Sequence, residues 1–230
     1  MQMFRAAVFA ATMILVPAAA RAEPVDGRWK LAVTAGTLGI GPEVGYRVSD
    51  TFGIRANATF FSISHDIESD DIRYDANVKL RSGGAMLDLY PFGGSFRVSG
   101  GLRINGNKAH GLGQPNNGSS FTINDNTYTA AEIGTLRADT DINGVAPALT
   151  LGWGGSSSSG FVFGIEAGAL FQGSVKIKPL TITGICAGAN PPADCATLKA
   201  DLEAERLSVN DDIDGYKVYP ILQLTLGYRF

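Results

Sequence analysis

Strict alternation of apolar and polar residues, sustained over long runs, is what most limits the folds open to this chain. From Phe161 the apolar set Phe161, Phe163, Ile165, Ala167, Ala169, Phe171, Val175 and Ile177 alternates with Glu166, Gln172, Ser174, Lys176 and Lys178. The last segment repeats the pattern: Tyr216, Val218, Pro220, Leu222, Leu224, Leu226, Tyr228 and Phe230 oppose Lys217, Gln223, Thr225 and Arg229. Successive side chains of extended backbone point to opposite faces, whereas a helix would scatter these positions around its axis. Both runs therefore predict long strands with one apolar face.

Six further segments read the same way. Trp29, Leu31, Val33 and Ala35 oppose Lys30 and Thr34; a parity change near Gly36-Thr37 then leads into Leu38, Ile40, Pro42, Val44, Tyr46 and Val48 against Glu43 and Arg47, as a tight hairpin would. Phe52 to Phe60 alternate with Arg55, Asn57 and Thr59, and an acidic loop spans Asp66 to Asp71. Next, Tyr74, Ala76, Val78 and Leu80 form one apolar parity and Ala85, Leu87 and Leu89 the other. The switch at Ser82-Gly83-Gly84 predicts a β-bulge. Phe96, Val98, Leu102 and Ile104 oppose Arg97, Ser99 and Arg103, and Val145 to Trp153 alternate with small residues. From Lys108 to about Thr140 the chain is polar with weak periodicity and reads as a long loop with room for a short hairpin. Residues 194–208 have helix composition, with Leu198 and Leu202 on one face, and predict a short helix over the mouth of whatever the strands enclose.

The N-terminus is read as a targeting segment. Arg5 precedes an apolar stretch from Ala6 to Ala20, and Ala20-Arg21-Ala22 has the small-residue pattern of a cleavage site, so residues 1–22 are expected to be removed as a secretory signal. Taking 22 residues from 230 leaves 208 as one domain, 23–230; without Arg5 and Arg21 the formal charge moves from −3 to −5. A mildly acidic chain lacking a Lys/Arg cluster argues against nucleic-acid binding. No later window is a transmembrane helix, so a membrane form would have to be a barrel, which leaves no backbone group unpaired in lipid. In an exported chain, Cys186 and Cys195 are expected to close a local disulfide loop.

Eight segments joined alternately by short and long links predict an all-β fold: an eight-stranded antiparallel up-and-down transmembrane β-barrel with one short helix in the last long loop. The direction of the apolar face separates this from a soluble carrier barrel. The polar parity is mostly Gly, Ser, Thr and Asn with sparse charges of both signs, while the other carries large aromatics throughout, so the apolar face is expected outside. Glu43, Arg47, Arg55, Asp88, Arg97, Arg103, Glu166 and Arg229 then all project inward and pair as a charge network that plugs the lumen.

The ending Leu222-x-Leu224-x-Leu226-x-Tyr228-x-Phe230 resembles the β-signal of bacterial outer-membrane proteins. That resemblance implies recognition by the barrel-assembly machinery and a place in the outer membrane among lipid and lipopolysaccharide. Gly45-Tyr46-Arg47 before a short Asp-containing turn is similar to small barrels of the OmpA/OmpX/OmpW-like group, here without a peptidoglycan-binding domain.

Catalysis has weak support. Ser64, His65 and Asp66 supply the residue types of a triad, but neighbours on a strand face opposite ways. The acidic runs at Asp66–Asp71 and Asp211–Asp214 match no Ca²⁺ loop. The expectation is a monomeric, non-enzymatic barrel without metal or cofactor, serving an envelope-structural or surface-interaction role. The alternatives are a narrow channel for small or amphipathic solutes, or a lipid A-modifying enzyme.

Overall fold

A computed structural model describes residues 27–68, 72–116, 119–154 and 159–230. The expected signal segment 1–22 lies outside them, as does the 69–71 part of the acidic loop. In chain order the elements are β1 (Trp29–Gly36), β2 (Gly39–Arg47), β3 (Phe52–Glu68), β4 (Ile72–Leu89), β5 (Phe96–Asn105), β6 (Lys108–Pro115), β7 (Ser120–Ile123), β8 (Asn126–Thr129), α1 (Ala130–Ile133), β9 (Leu136–Asp141), β10 (Val145–Gly154), β11 (Gly160–Phe171), β12 (Lys176–Ile177), β13 (Thr181–Ile182), a 3₁₀ turn at Ile185–Ala187, α2 (Cys195–Ile213) and β14 (Val218–Arg229).

Eight of the strands close into an antiparallel ring in the order β1-β2-β3-β4-β5-β10-β11-β14, with β14 returning to β1. The closing register pairs Lys30 with Arg229 and Gly36 with Gln223. Closure leaves the ring without an edge strand. Burial alternates along the strands. In β10, Ala146, Ala148, Thr150 and Gly152 are buried while Val145, Leu149, Leu151 and Trp153 are exposed, so the apolar face is the outer one.

Three short connections, β2–β3, β4–β5 and β10–β11, lie at the same end as Trp29 and Phe230; the two-residue β1–β2 turn lies at the other. That end is ringed by aromatic pairs: Trp29 with Tyr46 at 4.8 Å between centroids, Phe161 with Tyr228 at 5.5 Å, and Phe96 with Trp153 at 6.2 Å. At the opposite end the two long connections, β5–β10 and β11–β14, are folded.

β3 and β4 run 17 and 18 residues, and only about half of each belongs to the ring. β2 accompanies β3 as far as Phe60, and β5 accompanies β4 as far as Ser82. Beyond those points β4 takes β6 as its partner, from Lys79↔Lys108 to Ile72↔Pro115; β6 then pairs with β9, and β9 with β12 and β13. The ring wall thus continues outward as a second sheet.

The expected bulge at Ser82–Gly84 does not exist: β3 and β4 pair without interruption from Phe52↔Leu89 to Glu68↔Arg73. What changes there is the surroundings. Within the ring, Ser82, Met86 and Asp88 face the buried interior; on the same face further out, Tyr74 and Val78 of β4 and Phe61 and Ile63 of β3 are exposed. The other face reverses too, from Phe60, Leu87 and Leu89 on the ring to Ser62, Ser64, Asn77 and Lys79 beyond it. Hydrophobic parity switched without any backbone irregularity.

Three other expectations are corrected. The strand predicted over 161–178 stops at Phe171, because Gly173 turns the chain with φ = 72° and Lys176–Ile177 pairs instead with β9. The 108–140 stretch contains β6, a β7–β8 hairpin, α1 and β9. Finally, the short helix extends to Ile213 over 19 residues. Its Leu198 and Leu202 join Phe121, Ile123, Tyr128, Ile133 and both cysteines in a core separate from the ring.

Candidate functional site

Inside the ring, β1 to β5, β10, β11 and β14 each direct alternate residues inward, and the sequence supplies polar ones at those places. Glu43, Arg47, Arg55, Asp88, Arg97, Arg103, Glu166 and Arg229 are all buried, at 7% exposure or less. Arg55 sits at the centre. Its Nε donates to Asp88 Oδ1 at 2.9 Å, Nη1 to Glu43 Oε2 at 3.3 Å, and Nη2 to Glu166 Oε1 at 2.7 Å. Arg97 Nη2 donates to Glu166 Oε2 at 2.7 Å, and Ser99 Oγ to Asp88 Oδ1 at 2.6 Å. Sequence reasoning omitted Lys30, although it lies on the polar parity; its Nζ donates to Glu43 Oε1 at 2.6 Å.

Two glycines make room for this layer. A Cβ on Gly152 would lie 2.8 Å from Arg97 Nε, and one on Gly84 would lie 2.8 Å from Arg103 Cγ, so the small residues opposite the arginines let their stems cross the interior.

Arg47, Arg103 and Arg229 stand outside the carboxylate network. Arg47 donates to the carbonyls of Asp50 at 2.7 Å and Gly93 at 2.8 Å, and its guanidinium lies 3.9 Å from the centroid of the Tyr90 ring. Arg229 also lies beside Tyr90, in a cavity those two share with Arg47 and Asp88. Arg103 is held by neutral partners, donating from Nε to Ser82 Oγ at 2.9 Å and from Nη1 to Asn57 Oδ1 at 2.8 Å. Towards the long-loop end, Leu38, Ala146, Ala148, Leu170 and Ile221 pack into an apolar layer across the interior, with Tyr219 against it. Tyr219 Oη donates to the Thr37 carbonyl at 2.6 Å and ties that layer to the β1–β2 turn.

The outer domain has a polar hub of its own. The β7–β8 turn places Asn124 and Asp125 at φ = 48° and 66°, the two-residue geometry that Asn and Asp tolerate. It aims Asn124 and Asn126 at Asp201 of α2, with Nδ2···Oδ distances of 3.1 and 2.7 Å, and Tyr128 Oη donates to the same carboxylate. These hydrogen bonds, Tyr128's first, hold the Asp201 carboxyl below the usual carboxylate range. Burial, and then the carboxylate partner, push the Tyr128 hydroxyl up to about 12. Asp201 falls between Leu198 and Leu202 on the inward side of α2, a polar residue on an apolar helix face; that was the available signal, and it was missed. The expected Cys186–Cys195 disulfide is formed and joins the 3₁₀ turn to the first residue of α2.

Ser64 and His65 face opposite sides of β3, so they form no dyad. On the outward side of the second sheet a row does cross the strands. Asn77 Nδ2 donates to Ser64 Oγ at 2.5 Å, His110 pairs across from Asn77, and His110 Nδ1 donates to Asp139 Oδ1 at 2.5 Å. Donation from His110, aided by Arg137, lowers the Asp139 pKa. Ser64 and His110 stand two strand spacings apart, roughly 9–10 Å, with Asn77 between them, so Ser64 lies beyond hydrogen-bond reach of this imidazole. Of the acidic residues at 211–214, Asp214 accepts from Ser174 Oγ at 2.7 Å and pairs with Lys217 at 3.1 Å. No metal-binding cluster occurs among the described residues.

Ring and interior together define the class: a closed antiparallel eight-stranded ring, apolar outside and ion-paired inside, with a folded domain at one end. The chain shares this fold with two proteins of Acinetobacter baumannii. Against the crystal structure of CarO the TM-score is 0.53 at 17% identity, and against that of CarO2 it is 0.56 at 15% identity; each likeness covers 88% of this chain and 98% of the other. No family model and no curated protein matches the sequence.

Proposed function

We propose that this chain is an integral outer-membrane β-barrel protein, exported by cleavage after Ala22, whose outer domain carries a non-enzymatic surface-interaction role. The observation that carries the reading is the pairing of a filled interior with a folded exterior. Interior cavities at Arg103 and at Arg229 leave only about 10 Å³ each for a water-sized body, too little for a solute path. The domain beyond the ring, by contrast, has its own core, a disulfide and an exposed apolar side at Phe61, Ile63, Tyr74 and Val78.

The membrane assignment rests on the outer surface. Trp29, Leu31, Leu87, Leu102, Leu149, Phe163 and Leu224 lie exposed around the ring, far more apolar surface than a soluble monomer presents. Ring strands of 8 to 12 residues suit a lipid core that needs about 9–11 in a tilted strand. The aromatic girdle at the short-turn end marks one interface, and the parity reversal after Phe60 marks the other. On this reading the short turns are periplasmic and the outer domain lies among lipopolysaccharide. The barrel is a monomer placed by the assembly machinery through Leu222, Leu224, Leu226, Tyr228 and Phe230. Within the class it is kept with the OmpA/OmpX/OmpW-like group that its sequence resembles.

The test is a folded preparation from outer membranes. A band whose gel mobility changes on boiling, with no single-channel conductance in planar bilayers, is the expected result. A soluble protein without that shift refutes the membrane reading. Steady conductance replaces the filled interior with a narrow channel for small or amphipathic solutes, and altered lipid A acylation on expression replaces the non-enzymatic role.

A further inference from the structure

Among the described residues, the ring interior buries six cationic side chains, Lys30, Arg47, Arg55, Arg97, Arg103 and Arg229, against three carboxylates, Glu43, Asp88 and Glu166. All three carboxylates are taken by Lys30, Arg55 and Arg97. Arg47 and Arg229 lie at the short-turn end, where carbonyls and the Tyr90 ring face them. Arg103 is different: it is 3% exposed, its two hydrogen-bonded partners are neutral, and its Nη2 has no partner.

Arg103 borders a cavity that leaves about 10 Å³ for the centre of a water-sized body, together with Thr34, Asn57, Thr150 and Gln223. Thr150 is 1% exposed and Gln223 5%, and neither Thr150 Oγ1 nor either amide atom of Gln223, Nε2 or Oε1, has a partner. The residues lining this one space, which has room for one small body, thus carry three unused donors, one of them on a guanidinium, and one unused acceptor, the Gln223 amide oxygen. Buried donors left unmatched are costly, and a buried cation without a counter-charge is more so. Glu166 also lines the cavity, but its Oε1 accepts from Arg55 and its Oε2 from Arg97, so its single charge is already shared by two other guanidinium groups, and it makes no hydrogen bond to Arg103.

We propose that this cavity binds one monatomic anion of halide size, held by Arg103 Nη2, Thr150 Oγ1 and Gln223 Nε2. A water molecule would satisfy the donors but add no negative charge to an interior that holds six cations against three carboxylates. Carboxylates and phosphates are too large for the space. The anion completes the charge balance of the interior from outside the sequence, and the site is independent of whatever the outer domain contacts.

Bromide is the probe. Crystals of the mature protein soaked in bromide are expected to give an anomalous peak within hydrogen-bond reach of the three donors. The thermal midpoint of the heat-modifiable band is expected to rise with bromide and not with gluconate at equal ionic strength. Arg103→Met abolishes both signals. Thr150→Val, which keeps the charge and removes one donor, weakens bromide binding about tenfold or more, and serves alone if Arg103→Met does not fold. Density in the cavity without anomalous signal, meaning water only, overturns the proposal. So does bromide stabilisation of equal size in the wild type and in whichever variant folds.

Discussion

Glu166→Gln tests the interior network most directly, because it keeps the side-chain shape and removes one charge. In the folded protein Glu166 receives Arg55 Nη2 at 2.7 Å and Arg97 Nη2 at 2.7 Å, with Arg55 Nη1 a further 2.6 Å from Oε2. Arg55 keeps Glu43 and Asp88 after the change, whereas Arg97 loses its carboxylate partner and the interior's cationic excess grows by one. Removing one member of a buried ion pair costs about 3–5 kcal/mol; since the amide oxygen still accepts one hydrogen bond, about 3 kcal/mol is expected. With urea dependences of about 1–3 kcal/mol per molar, the unfolding midpoint should fall by roughly 1–3 M. The assay is urea unfolding of the protein folded in lipid bilayers, followed by the fraction that remains heat-modifiable. Adding Arg97→Gln to Glu166→Gln removes the stranded charge and should restore part of the loss. A single variant whose midpoint matches the wild type would show that water, not Glu166, neutralises these guanidinium groups, and would refute the buried-network argument.

The remaining predictions concern the outer domain. Leu198→Ala, fully buried in that domain's core, should cost about 2–5 kcal/mol; it should open protease sites within 119–141 and 176–213 while the barrel's mobility shift persists. Replacing Cys186 and Cys195 together by Ser removes a short loop closure worth about 2–3 kcal/mol, visible as the same protease sensitivity without reductant. Asp201 titrates below the usual carboxylate range, so its stabilisation is present above the unfolded value and lost as pH falls through the folded one. Tyr128 behaves oppositely: its contribution is whole below about 10 and disappears as pH rises through about 12. Near-ultraviolet circular dichroism of the outer domain should therefore hold through neutral pH and collapse at both extremes, and Asp201→Asn should flatten the acid limb.

The ring was legible in the sequence because each of its strands separates two contrasting environments, and period two records that contrast directly. The same logic misled at Ser82–Gly84. Alternation reports which side of a strand is apolar, not whether the strand bends, and β4 passes from one pair of environments into the reverse pair while running straight. At the end of β11 the pattern continued by chance through Lys176 and Ile177, past a glycine whose positive φ ends the strand. The outer domain was hidden for another reason. Its core draws Phe121, Ile133, Cys186 and Leu198 from segments far apart in sequence, and its β7 and β8 strands are four residues each, so no single window carries enough periodicity to declare them. The interior imbalance of charge, by contrast, could be counted from the polar parity alone once Lys30 was included.

The unbroken ladder from the ring into the second sheet has a mechanical consequence. A domain on a flexible loop can swing and sample many heights above the headgroups, but one carried on β3 and β4 is fixed to the barrel as a blade is fixed to its handle. Under the proposed membrane reading, every copy would then present Phe61, Ile63, Tyr74 and Val78 at one altitude and one inclination to the barrel axis. Neighbouring copies could differ only by rotation about that axis, so whatever the blade meets, it meets in a plane parallel to the membrane.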